Sequence, residues 1–136
     1  MLALSDVMST FPVRMDASGD VDSALQLLSE HGFHHLPVFR GEALDGVLSL
    51  CQLDAARVAG GGGVLLGDLV ASPPLVFDIS VHLRQVAIEM GRRSLDAAVI
   101  LSRGRVVGIV TSSDLLGVLT ELLPGPPPGS PPSDVA

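Results

Sequence analysis

The chain contains no lysine, and all eight of its basic residues are arginine. That absence removes Schiff-base and P-loop lysines from the chemistry open to it. Positive charge is scarce overall, with 8 basic residues against 15 acidic ones and a net charge of −7. Attraction to a phosphate backbone is therefore missing, and nucleic acid is not expected as a partner. The one cysteine, Cys51, excludes an internal disulfide and cannot make a zinc site alone. With no base near it in sequence, it reads as a small buried hydrophobe. His31, His34 and His35 are clustered, but neighbours on a strand point to opposite faces, and no further metal ligand stands at a suitable spacing. No nucleophile is paired with a base, so neither an enzyme nor a cofactor is expected. Uninterrupted apolar runs stop short of the roughly 18 to 20 residues of a membrane-spanning helix. The opening Met1 to Ser9 carries Asp6 and no positive stretch, unlike a signal peptide. A soluble, cytoplasmic chain without membrane partners is the expectation.

What is present is apolar residues, 47% of the chain. A length of 136 residues suits one domain or two small units sharing a core. The apolar fraction fills that core and leaves surface for a partner, so an oligomer is expected. The spacing of Val21, Ala24, Leu25 and Leu28 predicts a helix after the turn at Asp16 to Asp20, closed by Gly32. His34 to Phe39 and Leu44 to Leu48 read as strands, Ser49 to Val58 as a helix, and Gly60 to Gly63 as a flexible break.

After that break the pattern repeats. A gapless slide of the chain lays Asp6 on Asp68, Pro12 on Pro74, Asp16 on Asp78, Ser18 on Ser80, Gly46 on Gly108 and Leu53 on Leu115. Apolar residues agree between these anchors, as Val21 with Leu83 and Val38 with Ile100. The reading is two tandem β-α-β-β-α units, residues 1–60 and 61–123, in an α+β fold whose copies pack through their sheets with pseudo-two-fold symmetry. Residues 124–136, rich in proline, read as a disordered tail.

The second copy closes on Val106 to Leu116, a short β-branched strand running into Thr111, Ser112, Ser113 and Asp114, all helix-capping types. Free amides at a helix start favour a phosphate, and a carboxylate there accepts from a vicinal diol. On Thr-x-x-Asp alone the cap is the favoured reading of Asp114, and the repeat context turns the preference to a ligand. In the first copy Ser49 and Gln52 stand at the positions of Thr111 and Asp114. A neutral Gln acceptor is about half as strong as a carboxylate.

Three motif blocks, Met8-Ser9-Thr10-Phe11-Pro12-Val13, His35-Leu36-Pro37-Val38 and Gly108-Ile109-Val110-Thr111-Ser112-Ser113-Asp114, together with the repeat, resemble a tandem cystathionine-β-synthase (CBS) domain pair, the Bateman module. The resemblance spans roughly residues 2 to 123. It implies a regulatory module that senses an adenosyl ligand (AMP, ADP, ATP, adenosine or S-adenosylmethionine) in clefts between the copies, and a homodimer that changes geometry or acts on an unidentified protein target. By resemblance Asp114 takes the ribose, Thr111 and Ser113 lie near ribose or phosphate, and Ser9, Val13, Phe33 and His34 sandwich the base. A second site at Ser49 and Gln52 is expected to be weak or empty. Family members often place a basic residue three before the strand proline. His34 stands there in the first copy and Asp96 in the second, and a carboxylate repels phosphate. That departure shifts the expectation toward a neutral or cationic adenosyl ligand. The alternative function is a ligand-free dimeric scaffold for protein interaction.

Overall fold

The computed structural model describes residues 2–10, 13–71, 73–126 and 129. Most of the proline-rich tail lies outside them, as do Phe11 and Pro12 of the first motif block. The elements in order are α1 (Leu4–Val7), β1 (Met15–Asp16), α2 (Val21–His31), β2 (His35–Arg40), β3 (Ala43–Ser49) and α3 (Leu50–Val58). The second half repeats them as α4 (Leu66–Leu69), β4 (Val76–Asp78), α5 (Leu83–Arg92), β5 (Ala97–Ser102), β6 (Arg105–Thr111) and α6 (Ser112–Leu122). Two separate three-stranded sheets result, in the orders β1-β2-β3 and β4-β5-β6. In each, the middle strand runs parallel to the first and antiparallel to the third. Even the bulge recurs, between Val38 and Phe39 and between Ile100 and Leu101. The fold is α+β with two β-α-β-β-α copies, as the sequence leads one to expect.

Local chemistry explains the elements. Asp20 caps α2 by accepting from the Ser23 amide at 2.8 Å, and Gly32 ends it in the left-handed region at φ 68°, where glycine carries no Cβ penalty. The repeated Asp16/Ser18 and Asp78/Ser80 pairs are turn devices, in which both the serine amide and its hydroxyl donate to the aspartate. These hydrogen bonds hold the Asp16 and Asp78 carboxyls below the usual aspartate range, since they favour the charged form.

Each half has its own core, with Val21, Ala24, Leu28, Leu36, Val38 and Leu48 in the first and Leu83, Val86, Met90, Ala98, Ile100 and Val110 in the second. The short helices are exchanged between them. Leu4 of α1 is buried in the second core, and Leu66 of α4 in the first. The segment after α1 bonds to β6 through reciprocal Ser9 and Ile109 backbone bonds of 2.9 Å. This crossing explains the paired glycines. A Cβ on Gly108 would lie 2.9 Å from the Ser9 carbonyl oxygen, and one on Gly46 would lie 2.5 Å from a Val70 methyl.

Two expectations change. Cys51 is exposed rather than buried, because it precedes by two positions the residue that α3 turns inward, Leu53. The Gly60 to Gly63 stretch is tied down, with the Gly61 amide donating to Ala56 and the Asp22 amide to Gly62.

Candidate functional site

Each strand-to-helix junction begins with a hydroxyl that caps the helix and a third residue that returns the bond. Thr111 Oγ1 accepts from the Asp114 amide at 3.3 Å, while Asp114 Oδ2 accepts from the Thr111 amide at 2.8 Å and its hydroxyl at 3.0 Å. Ser49 and Gln52 form the same box, at 3.1 Å and 2.9 Å. Thr/Ser followed three residues later by a side-chain acceptor satisfies two helix-end amides reciprocally.

In front of each junction lies a cavity. The one at Thr111 measures about 160 Å³ and takes its walls from both copies. Ser9, Val13, Phe33, His34, Thr111 and Ser113 all line it, although they are scattered over more than a hundred positions of the sequence. Asp114 does not line it. Its Oδ2 is occupied by Thr111, while Oδ1 accepts nothing among the described residues. The cap reading of Asp114 is thus realised in the geometry, and the wall of the cavity is made by Thr111 and Ser113.

The second cavity, about 270 Å³, is lined by Ser49, Gln52, Leu75, Leu95 and Asp96 among others. Leu75 and Leu95 stand where the first cavity has Val13 and Phe33. The two differ in backbone chemistry as well. The Val99 amide donates to the Leu75 carbonyl at 2.8 Å, but its counterpart Pro37 has no N–H to give to Val13. The Val13 carbonyl is therefore without the strand bond that the Leu75 carbonyl accepts.

One polar pair went unread in the sequence. His35 Nε2 and Asp96 Oδ2 lie 2.9 Å apart, joining the first β-sheet to the residue before β5. The Ser112 hydroxyl, ahead of His35, holds the Asp96 carboxyl below the usual range, against partial burial that pushes the other way. The signal was available: the partners are one position off the repeat offset, and near-equivalent residues meet close to a pseudo-two-fold axis. Among the described residues no group of three His, Cys, Asp or Glu side chains comes together as metal ligands, and no helix is long and apolar enough to cross a membrane.

Outside these cavities, α5 and α6 diverge and expose an apolar groove lined by Leu83, Ala87, Met90, Leu115, Leu119 and Leu122. In the first copy α2 and α3 pack directly together. On the other side, Arg14 rests 4.3 Å above the Phe39 ring, at the edge of a third cavity of about 630 Å³.

The CBS domain family model matches residues 4–57 and again 66–121. The CBS domain pair of protein MJ0100, solved with 5′-methylthioadenosine and S-adenosyl-L-methionine, superposes with a TM-score of 0.78 at 20% identity, over 90% of this chain and 98% of that one. CBSX2 in complex with AMP gives 0.72 at 25% identity, over 90% and 98%. Inosine-5′-monophosphate dehydrogenase of Korarchaeum cryptofilum (strain OPF8) is 25% identical over 113 residues, 82% of this chain. The chain spans only about a fifth of that enzyme's length, 22%.

Proposed function

We propose that this chain, which belongs to the CBS domain family, is a regulatory module that takes an adenosyl ligand in the Thr111 cavity and is not itself an enzyme. The observation that carries the reading is that six residues from three separate stretches, Ser9, Val13, Phe33, His34, Thr111 and Ser113, surround one space. The base rests between Val13 and Phe33, with its amine donating to the Val13 carbonyl. Thr111 and Ser113 face the ribose, and Asp114, bonded to Thr111 through Oδ2, turns its Oδ1 to a ribose hydroxyl at the edge of the cavity when the ligand enters. Solved relatives in complex with AMP, or with 5′-methylthioadenosine and S-adenosyl-L-methionine, support the ligand class.

The walls also favour one kind of adenosyl compound. Among the described residues the lining contains no arginine. Adenosine or S-adenosylmethionine fits these walls better than ADP or ATP, whose phosphates would find no cation. The Gln52 cavity, with its neutral cap and the Asp96 carboxylate, is the weaker site.

A homodimer is part of the same proposal. Leu116 is 60% exposed and Leu122 73%, and a continuous apolar face of this kind marks an interaction surface. A second copy laid on the α5/α6 groove covers it, and ligand-dependent movement of α6 then changes the geometry of the pair or of a protein target.

A thermal-shift panel of AMP, ADP, ATP, adenosine and S-adenosylmethionine tests the reading. A ligand at about 100 times its Kd adds ~2.7 kcal/mol, several degrees in a domain of this size. Asp114→Asn, which keeps an acceptor for Thr111, should reduce the shift. A second reading, a ligand-free dimeric scaffold, is favoured by the engagement of both Asp114 and Gln52 in caps. A flat panel with an intact dimer establishes that alternative and rejects the first.

A further inference from the structure

We infer that the cavity between the two hairpin tips is a separate ligand site, suited to a small monocarboxylate with an apolar body. It lies at the far end of the sheets from the adenosyl cavities. His35 pairs with Ser49 and Ala97 with Thr111 at the junction end, whereas Arg40 pairs with Ala43 and Ser102 with Arg105 at the tips. The cavity measures about 630 Å³ and takes its walls from both tips. Phe39 and Leu44 of the first copy line it together with Leu101 and Val106, their counterparts one repeat on. Phe39 is buried and the other three are half-buried, so they give the cavity an apolar floor.

The charges around this floor do not repeat. Arg14, Glu42 and Arg105 all line the cavity, but their counterparts are Val76, Gly104 and Ala43. Among the described residues the ion pairs are His35–Asp96, Arg40–Asp45 and Arg92–Glu89, so none of the three is paired there. The Arg14 guanidinium sits 4.3 Å from the centre of the Phe39 ring. A guanidinium seated on a ring keeps N–H donors for a carboxylate. Two arginines against one glutamate leave a single net positive charge, which suits a monoanion and disfavours a phosphate dianion. The floor takes the apolar body of the ligand. Both arginines are exposed, so each contributes as a surface ion pair does, a factor of up to about five in affinity.

Isocaproate titrated into the full chain, followed by the amide resonances of Ala43 and Gly104, tests the site. Saturable shifts at the tips, with Thr111 and Ser49 unmoved, are expected. Arg14→Gln and Arg105→Gln should each weaken binding by up to about fivefold, and the double variant by more. Glu42→Gln should tighten it by a similar factor, which a merely solvated rim would not do. Acetate, with the charge but little body, should bind at least about tenfold more weakly, and isocaproamide, with the body but no charge, more weakly too. No saturable shift at the tips, or equal affinity in the folded double arginine variant, overturns the proposal. So does inorganic phosphate or isocaproamide binding as tightly as isocaproate. None of these outcomes bears on the adenosyl reading, which concerns the other end of the sheets.

Discussion

The two copies share a topology but not a finish. In the first, α2 and α3 close over Leu53, which is 0% exposed. In the second, α6 has no fully buried residue, and Leu115, the counterpart of Leu53, is only half-buried. The first copy is a completed small core, whereas the second has its α6 apolar face turned to a groove. The cavities reverse that order of completeness. The Thr111 cavity of the open-faced copy is the smaller, and its Val13 carbonyl lacks the bond that the Leu75 carbonyl of the Gln52 cavity accepts from Val99. One sheet pattern can therefore be tuned separately for packing and for recognition, because helix contacts lie outside the sheets and the cavities lie between them.

Substitutions at paired positions break or sharpen this comparison. Leu53→Ala should cost about 3 kcal/mol, as for a fully buried leucine, and Leu115→Ala less than about half of that in a monomer. Urea denaturation of both variants measures the difference. Equal losses would mean that the two helix layers are equally closed, and a Leu115→Ala loss that grows with protein concentration would place the missing cover on a second copy. Gly108→Ala drives a Cβ against the Ser9 carbonyl, and overpacking of this sort costs roughly 1–3 kcal/mol. Gly46→Ala meets only a valine methyl, so it should cost less and leave the Thr111 cavity intact. Denaturation midpoints together with adenosine thermal shifts separate the two. Thr111→Ala and Ser49→Ala each remove a cap worth about 1 kcal/mol. Similar stability losses with unequal loss of ligand response are expected, and equal loss of response would argue for two equivalent sites.

The smallest effect is electrostatic. Hydrogen bonds from Ser18 and Ser80 lower the folded pKa of Asp16 and Asp78 below the unfolded value. Such groups contribute stability that is present above about pH 4 and is lost as pH falls through the folded value. Thermal midpoints from pH 5 downward should fall less steeply in Ser18→Ala and Ser80→Ala than in the wild type. Ser80→Ala should flatten the profile more than Ser18→Ala, because the Ser80 hydroxyl is the main support of Asp78, whereas Asp16 keeps the amides of Ser18 and Gly41 and the nearby Arg40 charge.

The fold was readable because its anchors each have a local cause. Asp16 and Ser18 make a turn, Gly32 ends a helix, and Gly46 and Gly108 admit a crossing segment, so their repetition at one offset carried the topology. The exchange of α1 and α4 between cores was not readable, since Leu4 and Leu66 suit either core equally. Six of the seven residues assigned to the principal site line one cavity; Thr111 and Ser113 belong to the junction motif, whereas Ser9, Val13, Phe33 and His34 lie outside the strands and were placed by the family resemblance alone. Asp114 was the exception. An acid in the third helical position has two uses, and sequence alone could not tell that its Oδ2 is taken by Thr111. Cys51 deceived for a simpler reason, since an apolar side chain beside a cap need not face inward. Asp96 was read as repelling a ligand's phosphate, and its bond to His35 emerged only when the copies were placed together.

A crystal structure of the chain grown with adenosine tests the central claim most directly. The account predicts the base between Val13 and Phe33, its amine on the Val13 carbonyl, and the ribose facing Thr111 and Ser113. Adenosine seated only in the Gln52 cavity, or absent from both at saturating concentration, would contradict it.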